Sequence, residues 1–179
     1  MPTDLENRFD DLFRDLYPGV CRFIARLTGD ADLARDVAQE SFLRLHRLGL
    51  DALGPEDARF WVIRVARNLA LNELQKRRTR HRLLATVVDF FRRPRPDAEQ
   101  VAATSQTHRQ LLKLVAELPE HQRAALLLRE LEDMSYAEIA LALGVPESKV
   151  KSDLFRARAA VRARWRAEIE TPPHRRARN

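Results

Sequence analysis

A chain of 179 residues with 45% hydrophobic side chains has room for one or two compact domains and is too apolar for a disordered tail. A single cysteine, Cys21, rules out an internal disulfide and makes a reducing compartment the expectation. The net charge of +6 is unevenly spread, at −4 over residues 1–60, +6 over 61–100, −2 over 101–146 and +6 over 147–179, so two modules each present one basic end to a polyanion.

Five glycines, abundant Ala, Leu and Arg, and no lasting alternation of β-branched residues predict an all-α protein. No run of about eighteen apolar residues occurs, and MPTDLENRFD lacks a basic region followed by an apolar core, so a soluble cytoplasmic protein without membrane insertion is expected.

In chain order, Leu5, Phe9, Leu12, Phe13 and Leu16 mark a first amphipathic helix that Pro18 and Gly19 are expected to interrupt, and Val20, Phe23, Ile24 and Leu27 mark a second. After Gly29, Asp30 caps a third helix whose inward stripe is Leu33, Val37, Ala38, Ser41, Phe42 and Leu45. Its opposite side carries Asp36, Gln39, Glu40 and Leu43, an acidic surface with one exposed leucine that suits either solvent or a protein partner. Leu48 to Ala58 reads as a loop, followed from about Arg59 by a helix with Trp61, Val62, Val65, Ala66 and Leu69 inward. Arg64, Asn68, Leu71, Gln75 and Arg78 fall outward, with Arg67 and Asn72 beside them. The basic run Lys76 to Arg82, which includes Arg77 and Arg78, ends this module.

Phe90 to Pro96 breaks any helix and reads as a basic linker. Asp97 and Gln100 make a capping box for a helix through Leu111, Leu112, Leu114, Val115 and Leu118, which Pro119 stops. Another helix, from about Glu120 to Leu131, buries Ala124, Leu127 and Leu128. The tail TPPHRRARN is expected to be disordered.

The stretch from Leu118 to Trp165 carries the strongest signal. Ser135 and Glu138 form a capping box for a short helix with Ile139, Ala140 and Leu143 on one side, and Gly144 and Pro146 end it. Ser148 or Glu147 can cap a second helix, in which Val150, Leu154, Ala157, Val161 and Trp165 form a buried stripe. Ala140, Gly144 and Val150 lie four and then six residues apart, the spacing a helix-turn-helix crossing needs. Ser148, Lys149, Ser152, Asp153 and Arg156 are placed on the outward face, flanked by Lys151 and Arg158, which suits a helix entering a major groove. Asp153 has two readings here: an ion pair that holds Lys149 in place, or an acceptor for the amino group of cytosine.

His46, His81, His108, His121 and His174 show no ligand spacing, and neither a phosphate-cradling loop nor a nucleophile in a recognisable setting is present. No enzyme activity, cofactor or metal is expected.

These segments together resemble the extracytoplasmic-function sigma factors of bacteria, the small two-domain branch of the sigma-70 family. RFIARLTGDADLARDVAQESFLRLHR is similar to the core-binding part of their region two, ARFWVIRVARNLALNELQKRR to the promoter-reading helix that follows, and LPEHQRAALLLRELEDMSYAEIALALGVPESKVKSDLFRARA to region four. The resemblance implies two small helical domains, residues 1–88 and 106–170, joined by a flexible basic linker over 89–105 and followed by a basic tail over 171–179. It implies that Asp36, Gln39, Glu40, Ser41 and Phe42 grip core RNA polymerase, and that the Leu48 to Ala58 loop captures a flipped base of the minus-ten element. Arg64, Arg67 and Asn68, with Lys76, Arg77 and Arg78, would serve minus-ten DNA. Ser148, Lys149, Lys151, Ser152, Asp153, Arg156 and Arg158 would read the minus-thirty-five element. The implied partners are core polymerase, promoter DNA and an anti-sigma factor.

The chain departs from the family pattern at four positions. Members usually have a small residue and threonine at Ser148 and Lys149, arginine at Asp153 and aspartate at Asn72, so the promoter sequence is not implied. Two other readings stay open, a helix-turn-helix regulator binding operator DNA as a symmetric dimer and a purely protein-binding adaptor. Under the sigma reading, two short readers on a tether bind promoter DNA weakly until polymerase fixes their separation.

Overall fold

A computed structural model describes residues 4–85 and 106–170. All regular structure among them is helical: α1 (Asp4–Thr28), α2 (Ala31–Leu48), a 3-10 turn (Leu50–Ala52), α3 (Pro55–Ala85), α4 (Gln106–Ala116), α5 (Glu120–Leu131), α6 (Tyr136–Leu143) and α7 (Glu147–Glu170). The basic linker from Phe90 to Pro96, the Asp97 capping box and the C-terminal tail lie outside the described residues.

The first two expected helices are one. Pro18 lies inside α1, where it forfeits one backbone hydrogen bond, yet the helix runs on because Val20, Phe23, Ile24 and Leu27 are all buried. Gly19 is a site of close approach instead of a break: an added Cβ would stand 2.6 Å from Oε2 of Glu132, just beyond α5.

Asp30 caps α2 as expected, accepting from the Leu33 N–H at 2.8 Å and from Nη1 of Arg77 at 2.6 Å. Burial pushes the Asp30 carboxyl up, but the Leu33 N–H and the Arg77 guanidinium outweigh it and hold the group below the usual carboxylate range. Gly49 ends α2 at φ 84°, and the loop is shorter than predicted. Pro55 opens α3 four residues before Arg59, because its fixed φ and missing N–H suit the first turn of a helix.

The helices form two modules, α1 to α3 and α4 to α7. Within the first, α1 packs on α2 and α3, and α2 packs on α3; within the second, α7 receives α4, α5 and α6. The two also pack on each other, α1 against α5 and α3 against α6. Buried residues from Val20 to Ala70 and from Leu118 to Ala157 therefore form one continuous apolar core.

Candidate nucleic-acid interface

The second module folds as its turn chemistry dictates. Ser135 Oγ accepts from the Glu138 N–H at 3.2 Å, and the Ser135 N–H donates to Glu138 Oε2 at 2.6 Å, so the capping box is complete. Gly144 closes α6 in the left-handed region at φ 68°, with its N–H and that of Val145 both donating to the Ala140 carbonyl. The next helix starts at Glu147, with Lys149 and Val150 donating to the Pro146 carbonyl; neither Glu147 nor Ser148 stands outside it as a cap. Val150, Leu154 and Ala157 are fully buried, while Val161 and Trp165 are half-buried.

The outward face of α7 carries Ser148, Lys149, Lys151, Ser152, Arg156 and Arg158, all exposed. Lys151 pairs with Glu147 at 2.8 Å, and Arg158 with Glu130 of α5 at 3.0 Å. Asp153 is a correction. It is 3% exposed because it stands three residues after Val150 and four before Ala157, on the core side of the helix. Its oxygens accept from Nζ of Lys149 at 2.6 and 2.7 Å and lie 3.6 Å from Nε2 of His121, so they face the helix pair and not a groove.

Phe155 is the residue that sequence reasoning missed. It is 75% exposed and occupies the middle of the outward face, seven residues after Ser148 and three after Ser152. The signal was available, since a phenylalanine that avoids the apolar stripe on a helix this polar has no core to enter.

On α3 the predicted set is partly covered. Asn68 and Lys76 are exposed, and Arg77 bridges Asp30 and, at 3.5 Å, Glu73. Nothing is described for the Arg78 side chain. Arg67 grips Glu120 at the start of α5 with Nε at 2.7 Å and Nη2 at 2.8 Å, and Arg64 donates to the Leu141 carbonyl of α6. Both arginines, expected to face outward, are thus half-buried beneath the second module.

On α2, Asp36, Gln39 and Leu43 are exposed, and Glu40 pairs with Arg44 at 2.7 Å, which holds its carboxyl below the usual range. Ser41 and Phe42 do not share that surface. Ser41 is fully buried and donates to the Val37 carbonyl, and Phe42 packs its ring against Phe13 and Tyr17. Among the described residues no cluster of His, Cys, Asp and Glu could hold a metal ion, and no helix is long and apolar enough to cross a membrane.

Two helical modules, one ending in a helix-turn-helix with a basic outward helix and the other bearing an arginine-rich helix, define a DNA-binding protein of the transcription machinery. A profile described as Sigma-70 region 2 matches residues 12–80, and one described as Sigma-70, region 4 matches residues 108–161. The chain is 32% identical over 161 residues to the RNA polymerase sigma-H factor of Pseudomonas aeruginosa, covering 86% of this chain and 83% of that one. It is 30% identical to the ECF RNA polymerase sigma factor SigM of Bacillus subtilis, covering 86% and 93% of the two chains. It is 34% identical to the ECF sigma factor SigE of Mycolicibacterium smegmatis over 86% of this chain, and spans 60% of that relative's length. In fold it is similar to the sigma factor RpoE solved in complex with the anti-sigma factor NepR from Bartonella quintana, with a TM-score of 0.69, 20% identity, and 87% and 94% of the chains covered. This chain belongs to the sigma-70 family, in its extracytoplasmic-function branch. It is an alternative sigma factor, and a conventional dimeric regulator is not favoured.

Proposed function

We propose that this sigma factor binds bacterial core RNA polymerase through the outward face of α2 and reads promoter DNA at two places, the minus-ten element with α3 and the minus-thirty-five element with α7. The observation that carries this reading is the pair of basic helical faces, one in each module, on a chain that matches sigma regions two and four. In detail, Asp36, Gln39 and Glu40 make the polymerase contact, with Leu43 as its apolar centre, while Ser41 and Phe42 support that helix from inside. Arg64, Arg67, Asn68 and Lys76 serve minus-ten DNA, and the segment from Gly49 to Gly54 receives a base already out of its stack. Ser148, Lys151, Ser152, Phe155 and Arg156 face minus-thirty-five DNA. Phe155 supplies an apolar surface of the kind that a thymine methyl fits.

The domain division runs as the sequence implies, with region two ending near residue 88 and region four beginning near 106. The factor acts in the cytoplasm, performs no catalysis itself, and is held in check by an anti-sigma factor. Reconstituted run-off transcription with core polymerase tests the whole reading: promoter-specific initiation is expected, and tight dimeric operator binding without polymerase contradicts it. Replacing Asp36, Gln39 and Glu40 with alanine is expected to leave helicity intact and weaken co-purification with core polymerase, since these side chains avoid the core.

A further inference from the structure

We infer that the α5–α6 edge of region four is a docking surface for this chain's own α3, in which the Glu120 carboxylate takes the place of a DNA phosphate on Arg67. This inference rests on the minus-ten reading of α3 and adds to it a competitor carried in the same chain.

The seam has a consistent polarity. Region two contributes arginines: Arg22 reaches Glu132 at 3.3 Å, Arg59 reaches Glu138 at 3.8 Å, Arg64 donates to the Leu141 carbonyl, and Arg67 forks onto Glu120. Region four contributes the acceptors, and sends back one donor, Arg123, to the Leu27 carbonyl at 3.0 Å. A guanidinium presents two parallel N–H groups that match the two oxygens of a carboxylate or of a phosphate equally well, so one Arg67 cannot satisfy both. With 17% and 28% of the two side chains exposed, the Arg67 and Glu120 pair is screened by salt less than a surface pair. Around Arg64 the backbone comes close as well: a Cβ on Gly144 would stand 3.5 Å from the arginine Nε, and that buried Nε has no hydrogen-bond partner of its own.

The consequence is competition. While α5 and α6 sit on α3, the arginines assigned to minus-ten DNA are occupied, and DNA binds only to the fraction of molecules in which the modules have separated. The binding of polymerase, which must hold the two readers at promoter spacing, breaks the seam and exposes them together.

The test uses the full chain in a Cys21→Ser background with spin labels at Asp32→Cys and Arg162→Cys, two exposed sites outside the seam. Pulsed dipolar spectroscopy reports the distance between modules, and fluorescence anisotropy with a labelled mixed-sequence single-stranded DNA oligonucleotide reports access to α3. Glu120→Lys, which repels Arg67, is expected to lengthen and broaden the distance distribution and to tighten oligonucleotide binding about tenfold. Glu120→Gln, which keeps the shape and removes the charge, is expected to do so to a smaller extent. Glu117→Lys makes the same change in net charge at a residue paired with Arg164 of α7 and is expected to leave the distance unchanged and affinity nearly so. Adding Arg67→Glu to Glu120→Lys is expected to restore the short distance. An unchanged distance in Glu120→Lys, an opened seam with unchanged oligonucleotide affinity, or an equal gain from Glu117→Lys each overturns the inference. The minus-ten reading is tested separately by run-off initiation with holoenzyme carrying Arg64→Ala and Arg67→Ala, because polymerase then sets the module separation.

Discussion

Asp153 shows how one side chain changes meaning when its surroundings are known. Its carboxylate is buried and bonded twice to Lys149, so a role in choosing a base has no geometric path. Asp153→Asn is expected to lower stability by about 1–3 kcal/mol, the cost of weakening a buried charged hydrogen bond whose partner is half exposed. It also releases the Lys149 ammonium toward phosphate, so the salt dependence of binding steepens by about one unit of log–log slope. Selection from a randomised minus-thirty-five element checks this, and the chosen sequence is expected to stay the same. Phe155→Ala behaves oppositely: little stability is lost from a side chain this exposed, while a preference for thymine at one position of the selected element weakens.

At the scale of one helix, the capping box of α6 is the feature whose energy is easiest to isolate. Ser135→Ala is expected to destabilise region four by about 1 kcal/mol, measured by thermal melting. Its partner Glu138 is held below the usual glutamate range, first by the Ser135 side chain and then by the Ser135 N–H. A depressed carboxylate stabilises the folded state fully above its unfolded pKa and ceases to do so as pH falls through its folded pKa. Melting temperature is therefore expected to decline on acidification through the carboxylate range, and part of that slope to vanish in Ser135→Ala. Helix α1 makes a related point. Pro18 would end an isolated helix, but burial of Val20, Phe23, Ile24 and Leu27 outweighs one missing hydrogen bond.

For the whole molecule, the continuous core across both modules predicts one cooperative calorimetric transition in place of two. Gly19→Leu is expected to split it, because a side chain at that point meets Glu132 and forces α1 and α5 apart. The weak DNA binding expected of the free chain also acquires a different cause. A tether that leaves two readers uncoordinated lowers affinity through entropy, whereas the contacts of Arg64 and Arg67 lower it by direct competition. Salt distinguishes them, since moderate salt loosens an ion-paired seam and does little to a tether.

The sequence by itself determined what depends on neighbours along the chain. The Asp30 cap, the Ser135 and Glu138 box, the Gly144 turn, the bounds of α5, the stripes of α2 and α7 and the family were all legible there, because helical period, caps and turns are set within a few residues. Only the tertiary structure decided what depends on a partner distant in sequence. That Pro18 lies within a helix, that Ser41, Phe42 and Asp153 point inward, and that Arg64 and Arg67 are covered all follow from packing between segments 50 to more than 100 residues apart or from burial against other helices. Helical periodicity assigns a side chain to a face, but burial is a property of the surface brought against that face, and the arginines of α3 meet a carboxylate and a carbonyl that lie 53 and 77 residues further along the chain.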